Sequence, residues 1–453
     1  MSLLGADRGW IYAAKVKGRF QRFHRGISAV LFAILLITPW VPINGRPALL
    51  IDLWARRLYI FGGIFTPRDT IFLVLIGLFA AFALFFFTSL YGRLWCGYAC
   101  PQTVFLEELI RPLEERIEGS RGKRMARDRG GWTFDRIWRK AVKWSAFAAI
   151  AGGLAMAMGS LFVRPTLLWT GQGPLGAYAV VGVVGAGLFF DFAWFREQFC
   201  NYLCPYARFQ GALTDEESLV VSYQSLRGEP RGKKRLQSAR KAAGEDTGEC
   251  IDCKKCVAVC PQGIDIREGF QLECINCARC IDACAQVMGR LGQESLVRYT
   301  TIAEQEGRKP RILRGRTVAY GALLVGIAAM FFALLLNHTS IDATVNRAPG
   351  TLFTVDDDGY IRNTFWLQIE NNAGEAADGP VAFTVRLEGL DDAELIVPPI
   401  AVTAGEARKV PLVVRVPADQ LTERTTPMTV IVASPAETVD VQTTFKGNAR
   451  LEG

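Results

Sequence analysis

Hydrophobic positions fall along this chain in two regimes. Five long apolar stretches, approximately Ile27–Ile43, Thr70–Gly92, Trp144–Val163, Pro174–Phe190 and Thr317–Asn337, dominate the part before residue 338. Each is close to the roughly 20 residues that an α-helix needs to cross a bilayer. The second is uncharged for 23 residues and includes Phe85-Phe86-Phe87, a run that a soluble core helix has no use for. Pro39 and Pro42 interrupt the far end of the first. Beyond the fifth stretch the period changes from helical to alternating. Tyr360–Glu370, Val381–Glu388, Glu394–Val397, Lys409–Val416, Met428–Ala433 and Thr438–Phe445 place Val, Ile, Thr or Phe at every second position. Turn residues such as Asp356-Asp357-Asp358-Gly359 and Asn371-Asn372 bound them, so these segments are predicted strands. Six or seven short strands in roughly 110 residues suggest an immunoglobulin-like sandwich.

Composition fits a membrane chain: 50% of the 453 residues are hydrophobic. Lys15, Lys17, Arg19, Arg22 and Arg25 precede the first apolar run, as in a secretory signal, but the run ends in Pro-Trp-Val-Pro with no small-x-small cleavage site. It is therefore expected to be a retained span. Orientation follows from Lys and Arg near the membrane. The first 26 residues carry six, Arg93–Lys143 carries twelve, and Arg164–Gly173 carries one. The loop Asn44–Asp69, with Arg46, Arg56, Arg57 and Arg68, is a mild exception. Odd spans then run outward. The N-terminus and the segment between spans four and five are then expected to be cytoplasmic, and the C-terminal domain to lie outside. All twelve cysteines fall on the inner, reducing side. Residues 338–453 carry 17 acidic against 9 basic side chains, while the whole chain is +8. The basic inner face suits an anionic membrane lipid surface and requires no nucleic acid.

Eight cysteines form two consecutive runs, Cys250-x2-Cys253-x2-Cys256-x3-Cys260-Pro261 and Cys274-x2-Cys277-x2-Cys280-x3-Cys284. This is the spacing of a ferredoxin holding two [4Fe–4S] clusters, in which the fourth cysteine of each run reaches the other cube. One cluster would take Cys250, Cys253, Cys256 and Cys284, the other Cys274, Cys277, Cys280 and Cys260. Zinc knuckles or disulfides do not require this interleaved pattern twice.

The other four cysteines repeat a motif. Cys96-Gly97-Tyr98-Ala99-Cys100-Pro101 follows span two and Cys200-Asn201-Tyr202-Leu203-Cys204-Pro205 follows span four, 104 residues on. Tyr98 matches Tyr202, Phe105 matches Phe209 and Leu109 matches Leu213, so the two hairpins are a parallel internal repeat that would bring the pairs to one depth. Proline after Cys100 and Cys204 can open a helix, placing each thiol at an N-terminus where the dipole favours thiolate. Paired soft thiolates suit Cu(I); a third iron–sulfur cluster, a redox-active dithiol and purely structural cysteines are the other readings. Asp191, at the inner end of span four, is a functional suspect, although Arg196 stands near enough in sequence to pair with it. The two histidines, His24 and His338, do not form the intraspan pair that a bis-histidine haem would need.

In this order of features the chain resembles the CcoG/FixG (RdxA) family of cytochrome c oxidase accessory proteins. The duplicated Cys-x3-Cys-Pro, the double ferredoxin run, a fifth span and a C-terminal sandwich carry the likeness over essentially the whole chain. Arg196-Glu197-Gln198-Phe199-Cys200 and Cys204-Pro205-Tyr206-Ala207-Arg208-Phe209-Gln210 are similar to the family as well. Ala285, where many ferredoxin runs have proline, is a departure affecting the local turn. The resemblance implies an oxidoreductase that reduces Cu(II) to Cu(I) for assembly of a cbb3-type oxidase, working with assembly factors, copper chaperones and a cytoplasmic electron donor. Cys96, Cys100, Cys200 and Cys204 would be its catalytic, copper-binding residues. Quinol-linked membrane ferredoxins of nitrate and nitrous-oxide respiration share the paired motif and give an alternative, as does a non-catalytic assembly scaffold. The expected fold is a polytopic α-helical membrane protein of five spans with an inserted two-cluster ferredoxin module and a C-terminal all-β immunoglobulin-like sandwich. Its parts are a four-span domain (1–224), a linker and ferredoxin module (225–316), the fifth helix (317–337) and the outer domain (338–453).

Overall fold

A computed structural model describes residues 10–43, 46–53, 57–61, 63–65, 70–336, 341–350, 352–371, 379–403, 406–421 and 423–447. Asn337, His338 and Asn372 lie outside the described residues. The chain forms two compact units, one of residues 1–41 with 69–330 and one of residues 42–68 with 331–453. Five helices are long and apolar enough to cross a membrane: Arg19–Trp40, Thr70–Tyr91, Phe134–Gly159, Leu175–Phe195 and Gly315–Leu336. The first and third begin well before the apolar runs that announce them. Helix Phe134–Gly159 starts at a Thr133 cap whose side chain accepts from the Arg136 N–H, and it carries Arg139, Lys140 and Lys143 before its apolar part. Helix Arg19–Ile37 starts at Gly18, which has no side chain to cap it. Asp282 supplies the missing acceptor from elsewhere in the chain, taking the Phe20 and Gln21 N–H groups at 3.3 and 2.9 Å.

Two polar segments differ from their sequence reading. Glu107–Glu118 has the periodicity of a helix lying on a membrane surface, but in the structure Glu107, Arg111, Glu114 and Glu118 are all buried. Its charged face meets counter-charges brought by other segments. Glu114 takes both guanidinium nitrogens of Arg196 at 3.1 Å and Arg124 at 3.2 Å. Lys143 sits 2.8 Å from Glu118, and Arg111 pairs with Glu107 and reaches Glu197. Gly119–Gly131, Gly- and Arg-rich and expected to be loose, contains helix Arg121–Arg129, held because Arg124 points into this network. The basic linker 225–247 includes helix Lys234–Ala242. An antiparallel strand pair, Val220–Tyr223 with Val297–Thr300, closes the cysteine-rich module, so its frame begins before residue 225.

In the second unit, every alternating segment of the C-terminal region is a strand, and they assemble into two antiparallel sheets. One is ordered 394–396, 407–417, 360–371, 341–347; the other 400–402, 381–388, 425–433, 438–446. Phe365, Leu367 and Ile369 of one face and Val430, Val432 and Phe445 of the other share one core. Strands Ile341–Arg347 and Ile400–Val402 are additions to the sequence reading, as is a three-stranded meander within residues 49–65. The meander follows the first span and the β-rich region follows the fifth, and both belong to this unit.

Burial by itself would raise the Glu114 pKa, but Arg196, Lys143 and Arg124 overcome it and hold the carboxyl below its ordinary value. Its contribution to stability is therefore complete above the ordinary carboxylate pKa and is lost as pH falls through the lower, folded value. Glu114→Gln strands three buried cations and should cost about 3–5 kcal/mol. Denaturant unfolding of the purified protein at neutral pH would show this as a fall in the midpoint, shrinking as the pH approaches the carboxylate range.

Candidate functional site

The two cysteine runs fold alike. In each, the residues immediately before and after the middle cysteine are left-handed: Asp252 (φ 50°) and Lys254 (φ 55°) around Cys253, Asn276 (φ 53°) and Ala278 (φ 58°) around Cys277. Side chains other than Gly enter this region at a cost of roughly 1–2 kcal/mol each. Paired, repeated strain of this kind marks loops wound around something. The loops surround two cavities. Cys250, Cys253, Cys256 and Cys284 line one, of about 30 Å³, and Cys260, Cys274, Cys277 and Cys280 line the other, of about 20 Å³, which Cys256 also touches. These are the two sets that the sequence spacing interleaves. Four thiols from both runs meeting around each small space fit the ligand set of an iron–sulfur cube. Burial pushes the Cys256 thiol up to about 12 and that of Cys274 to about 11, so loading these sites must expel protons.

Ala285 finds its reason here. Cys284 lies inside helix Arg279–Met288, and the Ala285 carbonyl accepts from the Gly289 N–H, so the helix passes straight through where proline would break it. In the first run the short helix Lys255–Ala258 ends before Cys260, and Pro261 is accommodated.

Cys96 sits in the short helix Leu94–Tyr98, and Cys100 and Cys204 each stand at the N-cap of a proline-led helix, Pro101–Val104 and Pro205–Leu213. Cys200 lies in a π-helical turn, Phe199–Leu203, a form that recurs at functional positions. The repeat brings all four thiols within electrostatic reach of one another. Helix-terminal placement does not yield a thiolate at Cys100, however. Burial raises Cys100 even though the Thr103 and Gln102 N–H groups pull it down, and it pushes Cys96 up to about 11 and Cys200 to about 12. Desolvation outweighs the dipole, so without a metal these groups stay as thiols at neutral pH. Among the described residues no three His, Cys, Asp or Glu side chains converge on a point that one ion would occupy. Thiolates that each bind a different iron of a cube need no such convergence.

Three residues that the sequence did not single out complete this site. Gln210 donates to the Cys96 sulfur at 3.4 Å from the second half of the repeat. Gln102 donates to both oxygens of Asp191 at 3.0 and 2.8 Å and to the Arg196 carbonyl at 2.9 Å, tying the first motif to the end of span four. Asp191 is thus an anchor for Gln102, and the partner of Arg196 is Glu114. Gly97 is the third. A Cβ there would stand 2.3 Å from the Ile275 carbonyl oxygen and 3.0 Å from the Cys277 nitrogen, so the membrane motif lies directly on the second cysteine run. Asn276 fastens the contact, donating to the Tyr91 carbonyl at 3.1 Å and accepting from the Val221 N–H at 3.1 Å. No sequence signal marks these three as a set, because each acts across about 90 to 180 residues.

Comparison with known proteins agrees with this architecture. Residues 195–302 match the 4Fe-4S dicluster domain, residues 72–118 a 4Fe-4S binding domain, and residues 331–448 the IG-like fold at the C-terminus of FixG. Protein RdxA of Cereibacter sphaeroides is 38% identical over 430 residues, 89% of each chain. The nitrogen fixation protein FixG of Rhizobium meliloti is 34% identical over 469 residues, 94% of this chain and 86% of its own. The chain belongs to the FixG/RdxA family. A crystal structure of a FixG-related protein from Vibrio parahaemolyticus aligns with 25% of this chain and 100% of its own, at 22% identity and a TM-score of 0.22. As a FixG/RdxA protein with matched 4Fe-4S domains, the molecule is an iron–sulfur electron-transfer protein with five helices suited to a membrane.

The close approach at Gly97 is open to test. Gly97→Ala overfills the contact and should destabilise the fold by about 1–3 kcal/mol. Gly77→Ala, which meets nothing within 4 Å, should not lower stability. Unfolding midpoints of the two variants measured side by side check the contrast.

Proposed function

We propose that this FixG/RdxA protein carries electrons from a cytoplasmic donor through two [4Fe–4S] clusters to the four membrane cysteines, where Cu(II) is reduced to Cu(I). The observation that carries this reading is the contact of Gly97 with the backbone of Ile275 and Cys277. It sets the membrane motif against the second run with no intervening side chain. Cys250, Cys253, Cys256 and Cys284 would hold the first cluster, and Cys260, Cys274, Cys277 and Cys280 the second. When bound, such clusters supply single electrons. Cys253 is the exposed thiol of the eight, which suits entry at the first site, while Gly97, against the second, follows the buried Cys96 in the chain.

One electron per ion converts Cu(II) to Cu(I), and the soft, apolar setting of Cys96, Cys100, Cys200 and Cys204 favours the reduced state. Gln210 orients the Cys96 sulfur. The cysteines release protons as copper enters, since burial keeps Cys96, Cys100 and Cys200 protonated beforehand. Within this reading the protein lies in the bacterial inner membrane with its N-terminus and ferredoxin module cytoplasmic and its β-rich region periplasmic. Cu(I) would serve assembly of a cbb3-type oxidase, through assembly factors and copper chaperones.

A second reading has its own support. The 4Fe-4S binding domain matched over residues 72–118 contains only Cys96 and Cys100, so its cluster would need Cys200 and Cys204 to be complete. Replacing Cys96 and Cys200 together by Ala separates the two. If copper is the substrate, Cu(II) reduction by the anaerobically reduced protein is abolished while about eight irons per chain remain. If the intact protein holds about twelve irons and the variant about eight, the four thiols hold a third cluster. Reduction that survives the double substitution removes the copper assignment.

A further inference from the structure

At the head of the first long helix an open cleft of about 740 Å³ lies between three segments: residues 13–18, the helix through Glu107–Arg116, and Arg279 of the cysteine module. Eight cationic and three acidic side chains line it. The acids are committed. Glu107 pairs with Arg111 and Arg279, Glu115 with Lys15 at 3.6 Å, and Glu108 with His24 at 2.9 Å. Among the described residues Lys17, Arg22 and Arg116 have no carboxylate within salt-bridge distance, and all three are exposed. Arg111, Arg124 and Arg279, also lining the cleft, each keep a buried Nε with no hydrogen-bond partner. The cleft therefore holds surplus positive charge and donor capacity.

A second, apolar concavity continues from it. Arg19, Arg22, Phe23, Gly26, Ile27 and Val30 line a shallow, open groove of about 780 Å³ that shares Arg22 with the cleft and runs down one stripe of the helix. Gly26 makes the notch, with nothing within 4 Å of where its Cβ would be, between Phe23 and Val30, themselves 63% and 59% exposed. A run of cations flanking a span is ordinary topology bias. A concave basic seat opening into an apolar groove along the same span is more specific.

We infer that this cleft and groove together bind one anionic phospholipid, its phosphate seated among Lys17, Arg22 and Arg116 and an acyl chain lying in the notch at Gly26. Basic pockets beside spans on the inner side take such headgroups, each cation near the surface contributing about a fivefold gain in affinity. The lipid would also bridge residues 13–18 to the helix that supports the cysteine module. The inference rests on the membrane placement of the first span.

The test reconstitutes the full-length protein in nanodiscs of phosphatidylcholine containing a minority of phosphatidylglycerol, and native mass spectrometry counts the retained lipid. The intact protein should retain one phosphatidylglycerol. Lys17→Gln/Arg22→Gln/Arg116→Gln should bind it on the order of a hundredfold more weakly. Gly26→Trp, which fills the notch on an open helix face, should lose it with all charges intact. Equal retention by the intact protein and the triple variant overturns the inference. So does displacement of the lipid by an equal concentration of glycerol phosphate, which would make the cleft a seat for a free anion. A protein that enters nanodiscs but shows no preference between the two lipids defeats the lipid site alone. One that fails to enter them at all defeats the membrane placement as well.

Discussion

The missing side chain at Gly97 governs the architecture of the redox half of this molecule. Backbone meets backbone there, and the second cysteine run presses onto the end of the membrane motif with Ile275 oxygen 2.3 Å from where any Cβ would be. The surrounding structure serves that approach. Asn276 spends its amide on the end of the second long helix and on the strand at Val221. Tyr299 donates to the Asn276 carbonyl at 2.6 Å and meets the Tyr98 hydroxyl at 3.2 Å, closing the other side. Beneath lies the ionic network of Glu107, Arg111, Glu114 and Arg196, which ties the two halves of the repeat to the cysteine module through Arg279 and the Pro261 carbonyl. Glu114 and Glu107 each hold more than one cation, so removing either carboxylate strands buried positive charge.

Much of this was legible in the sequence, for physical reasons that can be stated residue by residue. The spacing of the eight ferredoxin cysteines is a local matter, and so are the alternation of Phe365, Leu367 and Ile369 and the uncharged run from Thr70. What escaped was set by contacts distant in sequence. The pattern of Glu107–Glu118 is the same whether its polar face meets water or a guanidinium from residue 196, so periodicity alone could not separate surface from interior. The segment 119–131 reads as loose because nothing in its own composition shows that Arg124 pairs with Glu114. The third long helix begins at Phe134 because its basic first turns find acids to pair with, which no hydropathy window reports. The expectation of thiolates at Cys100 and Cys204 applied the helix dipole without the burial that opposes it at Cys100.

The two halves of the four-cysteine repeat are similar in sequence but not equivalent in surroundings. Cys96 is bonded to Gln210 and lies beside the cysteine module, while Cys200 occupies a π-helical turn. The duplicated hairpin thus places its two cysteine pairs in different surroundings. Asymmetry of this kind is what a repeat needs if a ligand is to be held by both halves and fed by one.

Asp282 carries a further implication, concerning synthesis. It caps the first span from 261 residues downstream, accepting the Gln21 N–H across that separation. At about 5–20 residues per second a ribosome needs between roughly 13 and 52 seconds to reach it. Throughout that interval the head of the first span has Gly18 before it and no carboxylate of its own in its first turn. The head of the first long helix thus gains its cap only once the cysteine module has been made and folded against it.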